Sequence, residues 1–427
     1  MANRRVLVVT GDFVPVSSNC TFRALGFVEE LPALGWDPFV LTQNPANAGW
    51  THDPGLKADC PICQVSGSPL LWRLLKRISS LVPIWLLADR ARSWIPFAVL
   101  RGVYLVWWYR IDLIFGSFQP WSSLVAAYLI SKLTRRPLVS EFRDSIPKSL
   151  GNPALTKRRM ALVTKIVRHS KRIVATTAEI STNIRMLAGG TLPPNSKVLA
   201  HGYRKVDLKP FDVPPIDKYF TLTFTGSFYR HCSVDTFCQA IAGFLGENPE
   251  LTSRIRLKII GREKEGAFIF LRRSAEEHGI DHCLEILPWQ SQKELQVTIG
   301  ESHLVWFTDV GRSEIVPGKL SKMFACGRPL LALSSVGGAT WRAVDETAAG
   351  RNFEYDDVSG IQGFISRIYH AAIDRDVLPN RDEVKLQDYS FRALTERLVN
   401  LFAEATGSAG TARHTPQVAE DLSGQKI

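Results

Sequence analysis

The chain has 427 residues, beyond the length at which one hydrophobic core usually stops growing, so two domains of roughly 200 residues are expected and a small stapled scaffold is excluded. Hydrophobic residues make up 45% and charged residues 22%, ordinary globular proportions that exclude disorder over most of the length. Lysine and arginine (52) outnumber aspartate and glutamate (41), and the formal charge of +11 favours an anionic partner such as nucleic acid, an acidic lipid surface or a phosphorylated small molecule.

The first residues run directly into an apolar strand pattern at 5–10, without the features of a signal peptide, so a cytoplasmic location is expected. A helix over 21–34 and a strand over 37–42 follow. The apolar stretches 78–88 and 95–109 are broken by Pro83, Pro96 and Arg101 and fall short of the roughly 20 residues needed to span a bilayer. Strands over 111–117, 137–142, 172–177 and 197–201 then alternate with helices over 122–134 and 153–169. Such alternation implies a parallel sheet with helices on both faces. Residues 206–219, with Pro210, Pro214 and Pro215, read as an interdomain linker.

The alternation restarts with strands over 220–225, 256–260, 282–287, 303–307 and 329–333. Helices over 234–245, 267–278, 292–300, 320–326, 340–348 and 361–373 accompany them. The expected organisation is an α/β protein with one doubly wound, Rossmann-like domain over 1–205 and a second over 220–385. A terminal helix within 386–404 and a polar tail over 405–427 complete it. Two such domains in tandem place a ligand cleft between them, outside the carboxyl ends of both sets of strands.

Cys20, Cys60, Cys63, Cys232, Cys238, Cys283 and Cys326 are scattered and odd in number, as suits a reducing compartment. Only Cys60 and Cys63 have metal-ligand spacing, and no second ligand pair accompanies them, so no metal is expected.

Phosphate groups are held where a strand ends in glycine and a helix begins, because backbone N–H groups point at the anion there. Phe224-Thr-Gly-Ser-Phe-Tyr-Arg230 is one such place: Gly226 allows close approach, Ser227 follows it, and Arg230 has the reach for a diphosphate. A plain strand-to-helix turn is the bland alternative. The second is Ser313-Glu-Ile-Val-Pro-Gly-Lys-Leu-Ser-Lys322, with Pro317 in a favoured first-turn position and Gly318 and Lys319 beside it. An amine at the positive end of a helix is best explained by an anion between them, or by simple exposure to water.

In the first half, the loop 10–19 forms a natural cleft wall without the G-x-G-x-x-G dinucleotide fingerprint. Arg143 and Asp144 end another strand and are expected to face the same cleft, although adjacent Arg and Asp also make surface ion pairs.

Residues 69–110 hold Trp72, Trp85, Trp94, Trp107 and Trp108, interleaved with seven arginines and lysines, and residues 157–172 add seven basic residues and no acid. Basic residues among aromatics suit the headgroup boundary of an anionic bilayer, whereas the alternative is a tryptophan core under a solvated charged face. Nucleic acid is not the expected partner, because no recognised binding module accompanies the charge.

Taken in order, these segments resemble the GT-B glycosyltransferases, in particular the bacterial family 4-like enzymes of surface polysaccharide and glycolipid synthesis. Arg5-Val-Leu-Val-Val-Thr10, Arg23-Ala-Leu-Gly-Phe27, Leu31-Pro-Ala-Leu-Gly-Trp-Asp37 and Arg136-Pro-Leu-Val-Ser-Glu-Phe-Arg-Asp144 are similar to the family's N-terminal half. Phe224-Thr-Gly-Ser-Phe-Tyr229, Leu257-Lys-Ile-Ile-Gly261 and Val316-Pro-Gly-Lys-Leu-Ser-Lys-Met-Phe-Ala-Cys-Gly-Arg-Pro-Leu-Leu-Ala332 resemble its donor-binding half. The resemblance covers roughly 4–404.

It implies transfer of a sugar from a nucleotide-sugar, held by the C-terminal domain, to a glycan or lipid-linked acceptor held by the N-terminal one. The family retains anomeric configuration without a metal or other cofactor, so cationic side chains and helix ends must neutralise the leaving diphosphate. By this resemblance Gly226, Ser227, Arg230, Lys319, Leu320 and Lys322 fall on the donor side. Glu314, matching the first acid of the family's Glu-x7-Glu motif, falls at the reacting centre with Arg143 and Asp144. Ser18, Asn19, Arg23 and Ser117 fall on the acceptor side, and contact with the inner face of an anionic cytoplasmic membrane is expected.

The sequence also departs from the family. Lys322 stands where the second acid is expected, Ser17 and Ser18 replace a glycine pair, Ser117 and Phe118 stand where many relatives have a histidine, and His201 replaces an asparagine. Lys322 and the missing histidine motivate a second reading, a non-catalytic GT-B protein that binds glycan or partner enzymes; a third is a nucleotide-sugar epimerase of the same architecture, which would act on free nucleotide-sugars without an acceptor.

Overall fold

The computed structural model describes residues 3–47, 51–68, 92–146, 153–226, 234–261, 266–309, 311–374 and 381–407. The first sheet comprises β1 (Arg4–Val9), β2 (Trp36–Gln43), β3 (Ile62–Val65), β4 (Leu113–Phe118), β5 (Leu138–Phe142), β6 (Arg172–Ala175) and β7 (Lys197–Val198). All pair in parallel, in the order β3-β2-β1-β4-β5-β6-β7. Successive residues of β1 alternate between two cores. Leu7 and Val9 join one with α2 (Ile95–Trp108), α3 (Trp121–Thr134), α4 (Pro153–His169) and α5 (Ala178–Leu187), while Val6 and Val8 join the other with α1 (Asn19–Glu30). A sheet buried on both faces this way needs the near-continuous apolar strands seen in the sequence.

The second sheet comprises β8 (Phe220–Thr225), β9 (Ile255–Ile260), β10 (Leu284–Leu287), β11 (Leu304–Thr308), β12 (Leu330–Leu333) and β13 (Gly350–Phe353). It is also parallel, in the order β10-β9-β8-β11-β12-β13. Around it lie α6 (Val234–Glu247), α7 (Ala267–Glu277), α8 (Gln292–Gly300), α9 (Lys319–Ala325), α10 (Ala339–Thr347), α11 (Val358–Asp374) and α12 (Glu383–Gln387). In each sheet the first strand sits near the middle and the order reverses beside it, which places crevices at the carboxyl ends of β1/β4 and β8/β11.

The last helix, α13 (Phe391–Ala405), returns to the first sheet: Phe391, Leu394, Leu398, Leu401 and Phe402 pack with Val6, Val8, Phe27 and Phe115. The crossing is fixed by backbone bonds of 2.9 Å from Tyr203 N to Tyr389 O and from Phe391 N to Tyr203 O. Helix starts follow their caps. Ser18, Thr177, Ser291 and Ser390 each accept a backbone N–H with the side chain at the start of α1, α5, α8 and α13.

Several elements differ from the sequence reading. The stretch 95–109, expected to be broken, forms a single helix, because Pro96 occupies its first turn where no amide hydrogen bond is lost. Strands β3 and β13 and helix α5 were not expected. The 3-10 turn Pro32–Leu34 replaces the end of the anticipated first helix, stopped by Gly35 in the left-handed conformation at φ 83°. Among the described residues no helix is long and apolar enough to cross a membrane.

Candidate functional site

The carboxyl ends of both sheets meet at one cleft, and the first-half wall is built on a charged framework. Arg23, at the start of α1, turns inward: its Nε lies 2.8 Å from Glu141 Oε1, and its Nη1 and Nη2 donate to the carbonyls of Ala200 (2.6 Å) and Leu199 (2.9 Å). Ser117 Oγ donates to the other oxygen of Glu141 at 2.6 Å. Arg143 ties together the loop after β4, with Nε donating to Phe118 O at 2.7 Å and Nη2 to Gln119 O at 2.6 Å. The same Nη2 lies 2.9 Å from Cys20 Sγ, at the start of α1.

Three cationic or basic groups thus crowd together, and His201 shows the cost. Burial first, then the positive charges of Arg23 and Arg143, push its pKa well below the usual imidazole value, so the ring is neutral near pH 7. Asp12, in the loop after β1, is raised by burial against the lowering effects of a hydrogen bond from Ser18 and the charge of Arg143. A partly buried carboxyl on the cleft wall, its pKa raised by burial, has the character of an acid–base group. The sequence reading took this loop as cleft wall without singling out Asp12, whose signal was an acid directly after a strand.

On the second-half wall, Gly226 directly follows β8 with φ 116°, a conformation that favours glycine, and its N–H is bonded to Ile260 O at 2.8 Å. Its neighbour Gly261 is equally constrained, since a Cβ there would lie 2.0 Å from Gly226 O. Lys319 reaches across this turn. Its Nζ donates to Thr225 O at 3.0 Å and lies 4.4 Å and 5.1 Å from the ring centres of Phe224 and Phe307. Aromatic faces attract an ammonium through their quadrupoles. Glu314 is partly exposed, with Oε1 3.3 Å from Arg312 Nη2.

The two walls touch through named atoms. Thr177 Oγ1 donates to Glu314 O at 2.8 Å, and a Cβ on Gly318 would meet His201 Nδ1 at 3.3 Å and Asn19 Cγ at 3.6 Å. Asp53 Oδ2 accepts from Gln292 N at 3.1 Å, and Ser321 Oγ donates to Gly202 O at 2.8 Å.

Gly226, Lys319, Glu314, Asn19 and the partly buried Asp144 therefore stand on the strand-end loops that converge on the cleft. Other expected site residues need correction. Arg23 and Ser117, expected to meet the acceptor, are interior partners of Glu141. The Arg143 guanidinium is occupied by two carbonyls and a thiol, so it positions a loop instead of facing substrate. Ser18 is buried as a helix cap, and the Leu320 side chain is wholly within the second core, leaving only its backbone to meet a ligand. Pro317 precedes the capping residue Gly318 instead of lying in the first turn of α9. Ser227 and Arg230 lie outside the described residues.

Lys322 is engaged by residues of both halves of the chain. Its Nζ donates to Gln292 Oε1 at 2.7 Å and sits 3.3 Å from the ring centre of Phe22. Burial lowers its pKa to about 8, with Asp207 and Asp53 raising it and Arg204 lowering it further. Behind it lies a cavity of about 250 Å³ bounded by Asp207, Pro210, Gln292, Ile299 and Arg328, to which Gly226, Glu314 and Lys319 do not contribute.

Residues 20–198 match the profile of the glycosyl transferase 4-like domain. The sequence matches no curated protein sequence. The fold is similar to that of sucrose-phosphate synthase from Thermosynechococcus elongatus, with a TM-score of 0.67 and 14% identity over 95% of this chain and 100% of that one. HepE of Anabaena, solved with UDP and glucose, gives a TM-score of 0.63 and 13% identity over 94% and 100%. The lipopolysaccharide outer core galactosyltransferase WaaB gives 0.57 and 14% over 94% and 99%. The chain has the GT-B fold, and its residues 20–198 match the profile of a glycosyl transferase 4-like domain.

Proposed function

We propose that the chain is a glycosyltransferase that moves a sugar from a nucleotide-sugar to a glycan or lipid-linked acceptor in bacterial polysaccharide or glycolipid synthesis. The second half takes the donor and the first half the acceptor, at the inner face of the cytoplasmic membrane. The observation that carries this reading is the Lys319 ammonium held over the Gly226 turn, at the end of the central strand of the second sheet and beside the first-half wall at Gly318. An ammonium has three donors, so the bond to Thr225 O is compatible with a further bond to an anion. Support for the donor class comes from HepE, solved with UDP and glucose, and for the pathway from WaaB, an outer core galactosyltransferase.

In this reading the bond between the donor sugar and the diphosphate breaks as an acceptor hydroxyl attacks. Lys319, with Arg230, neutralises charge on the departing diphosphate without a metal. Glu314 holds donor sugar hydroxyls, and anomeric configuration is retained as in the family resembled. Asn19 and Asp144 face the acceptor.

A thermal-shift series with nucleoside diphosphates and nucleotide-sugars, without added metal, tests the donor site. The expected result is a base-selective rise in melting temperature that weakens about 10- to 100-fold in concentration in Lys319→Met, the loss of a charge-assisted hydrogen bond of about 1.5–3 kcal/mol. Folded protein indifferent to every nucleotide overturns it. That result would favour the second reading, a non-catalytic GT-B protein, which rests on Lys322 standing where the resembled family has an acid and being engaged with Gln292.

A further inference from the structure

The first sheet carries α2, α3 and α4 on one face, with α3 packed between the other two. Their inward sides supply Ile95, Ala98, Leu105, Leu124, Val125, Leu162 and other core residues, as amphipathic helices on a sheet should. Their outward sides do not follow the usual polar pattern. On α2, Leu100 is 72%, Trp107 62% and Trp108 69% exposed, and on α3 Leu133 is 63% exposed. Tyr104 is also exposed and stacks on Trp108 with ring centres 5.7 Å apart. Singly exposed apolar residues need no explanation, but two tryptophans, a tyrosine and a leucine on one helix do.

Among the described residues the charge carried by these helices has one sign. The three helices contain no aspartate or glutamate. Exposed on them are Arg101, Lys132, Lys157, Arg158, Lys165 and Arg168, with Arg110 and Arg135 in the turns that follow α2 and α3. Arg101 lies 4.9 Å over the Tyr104 ring, its cationic head beside the aromatic cluster. Because crossover helices run antiparallel to the strands they connect, Trp107, Trp108, Leu133 and Arg135 all lie toward the amino ends of the strands. The cleft lies at the opposite ends.

We propose that the outer face of α2, α3 and α4 is a docking surface for an anionic lipid bilayer. Indole rings seat at the headgroup boundary while the lysines and arginines stay in the headgroup layer and attract acidic lipids. An aqueous protein partner would have to supply acids against every basic group and an apolar groove against the two tryptophans; an anionic interface offers both at once. Docking this way leaves the cleft, at the far ends of the strands, open to water. The surface goes beyond the transferase reading and stands without it, since no residue of the donor site takes part.

Co-flotation of the full-length protein with phosphatidylcholine vesicles, with and without phosphatidylglycerol, tests the proposal at low and high salt. The expected result is flotation only with the anionic vesicles, reduced at high salt. Trp107→Ser combined with Trp108→Ser should weaken vesicle binding about tenfold or more, and Arg158→Glu combined with Lys165→Glu should abolish the preference for anionic lipid. These side chains are exposed, and an unchanged melting temperature confirms folding in each variant. Wild-type protein that stays at the bottom with anionic vesicles at low salt overturns the proposal. So does a tryptophan variant that floats as wild type, or one that merely converts a sedimenting dimer to a monomer, which would make the face a self-interface. Nucleotide protection measured on the same preparations reports separately on the donor site.

Discussion

Arg23 and Glu141, 118 residues apart, form an ion pair inside the first half, with Nε 2.8 Å from Oε1 and side chains 2% and 1% exposed. Each charge is also hydrogen-bonded, Arg23 to two carbonyls and Glu141 to Ser117. Such a pair contributes little net stability relative to an apolar pair, but removing one partner leaves a buried charge alone, at about 3–5 kcal/mol. Arg23→Met and Glu141→Leu are each expected to lower stability by that order. The double variant should be no worse than the worse single one. Urea denaturation of the four proteins checks this; strictly additive losses would show that the two side chains do not act as a pair.

Gly261→Ala should act on the neighbouring turn rather than on itself. The added methyl would lie 2.0 Å from Gly226 O and 2.8 Å from Gly226 C, backbone atoms that cannot rotate away. Displacing them costs about 1–3 kcal/mol of overpacking and moves the Gly226 turn under Lys319. Gly246→Ala is the matched control: it lies within α6 with open space where its Cβ would stand, so a stabilisation of about 0.5–1 kcal/mol is expected there. Melting temperatures with and without nucleoside diphosphate separate the effects, since only Gly261→Ala should lose nucleotide protection.

Strand-by-strand order was legible because each buried strand writes a short apolar run, as in Phe220–Thr225, where all six residues are buried. Elements with little burial were not. Helix α5 buries only Ile180 and Ile184, and β13 only Asn352 and Phe353, so neither leaves a periodic trace above its polar neighbours. At the site, the sequence marked Gly226 and Lys319 by the strand-end glycine and the helix-start lysine. It did not distinguish Arg23 at the cleft surface from Arg23 beneath it, because that depends on Glu141 and on the carbonyls of Leu199 and Ala200, set by β5 and by the segment after β7. The engagement of Lys322 was hidden for the same reason: Gln292 and Phe22 come from different halves of the chain.

His201 should make the protein acid-sensitive. Its pKa is lowered in the folded state by burial and by Arg23 and Arg143, so between its folded pKa and the ordinary value of 6.5 the unfolded chain binds the extra proton. Stability is therefore lost as pH falls below about 6.5 and is fully present above it. His201→Asn removes the titrating ring and should flatten that part of the profile. Denaturation midpoints at a series of pH values between neutral and mildly acid check this, and an unchanged slope in the variant would assign the acid sensitivity to other groups such as His169 or His303, whose pKa values burial also lowers.

Lys322 gives the opposite end of the pH range. Burial against Phe22 and Gln292 lowers its pKa from 10.5 to about 8, with Asp207 and Asp53 opposing the shift and Arg204 adding to it. Below pH 8 both folded and unfolded chains hold the proton, and the fold bears the full cost of the buried charge. Between about 8 and the ordinary lysine value, the unfolded chain keeps the proton while the folded one releases it, so this residue's contribution becomes more favourable as pH rises. Replacing it by Lys322→Met, which keeps the apolar stem and deletes the charge, should therefore stabilise the protein relative to wild type at pH 7, with the advantage shrinking toward pH 10. The difference in unfolding free energy between the two proteins, followed from pH 7 to 10, reads this residue alone, because other lysines and tyrosines titrate equally in both. A difference that stays constant over that range would mean that Asp207 and Asp53 hold the ammonium as well as water does, and that the cation is a stable part of the contact between the two halves.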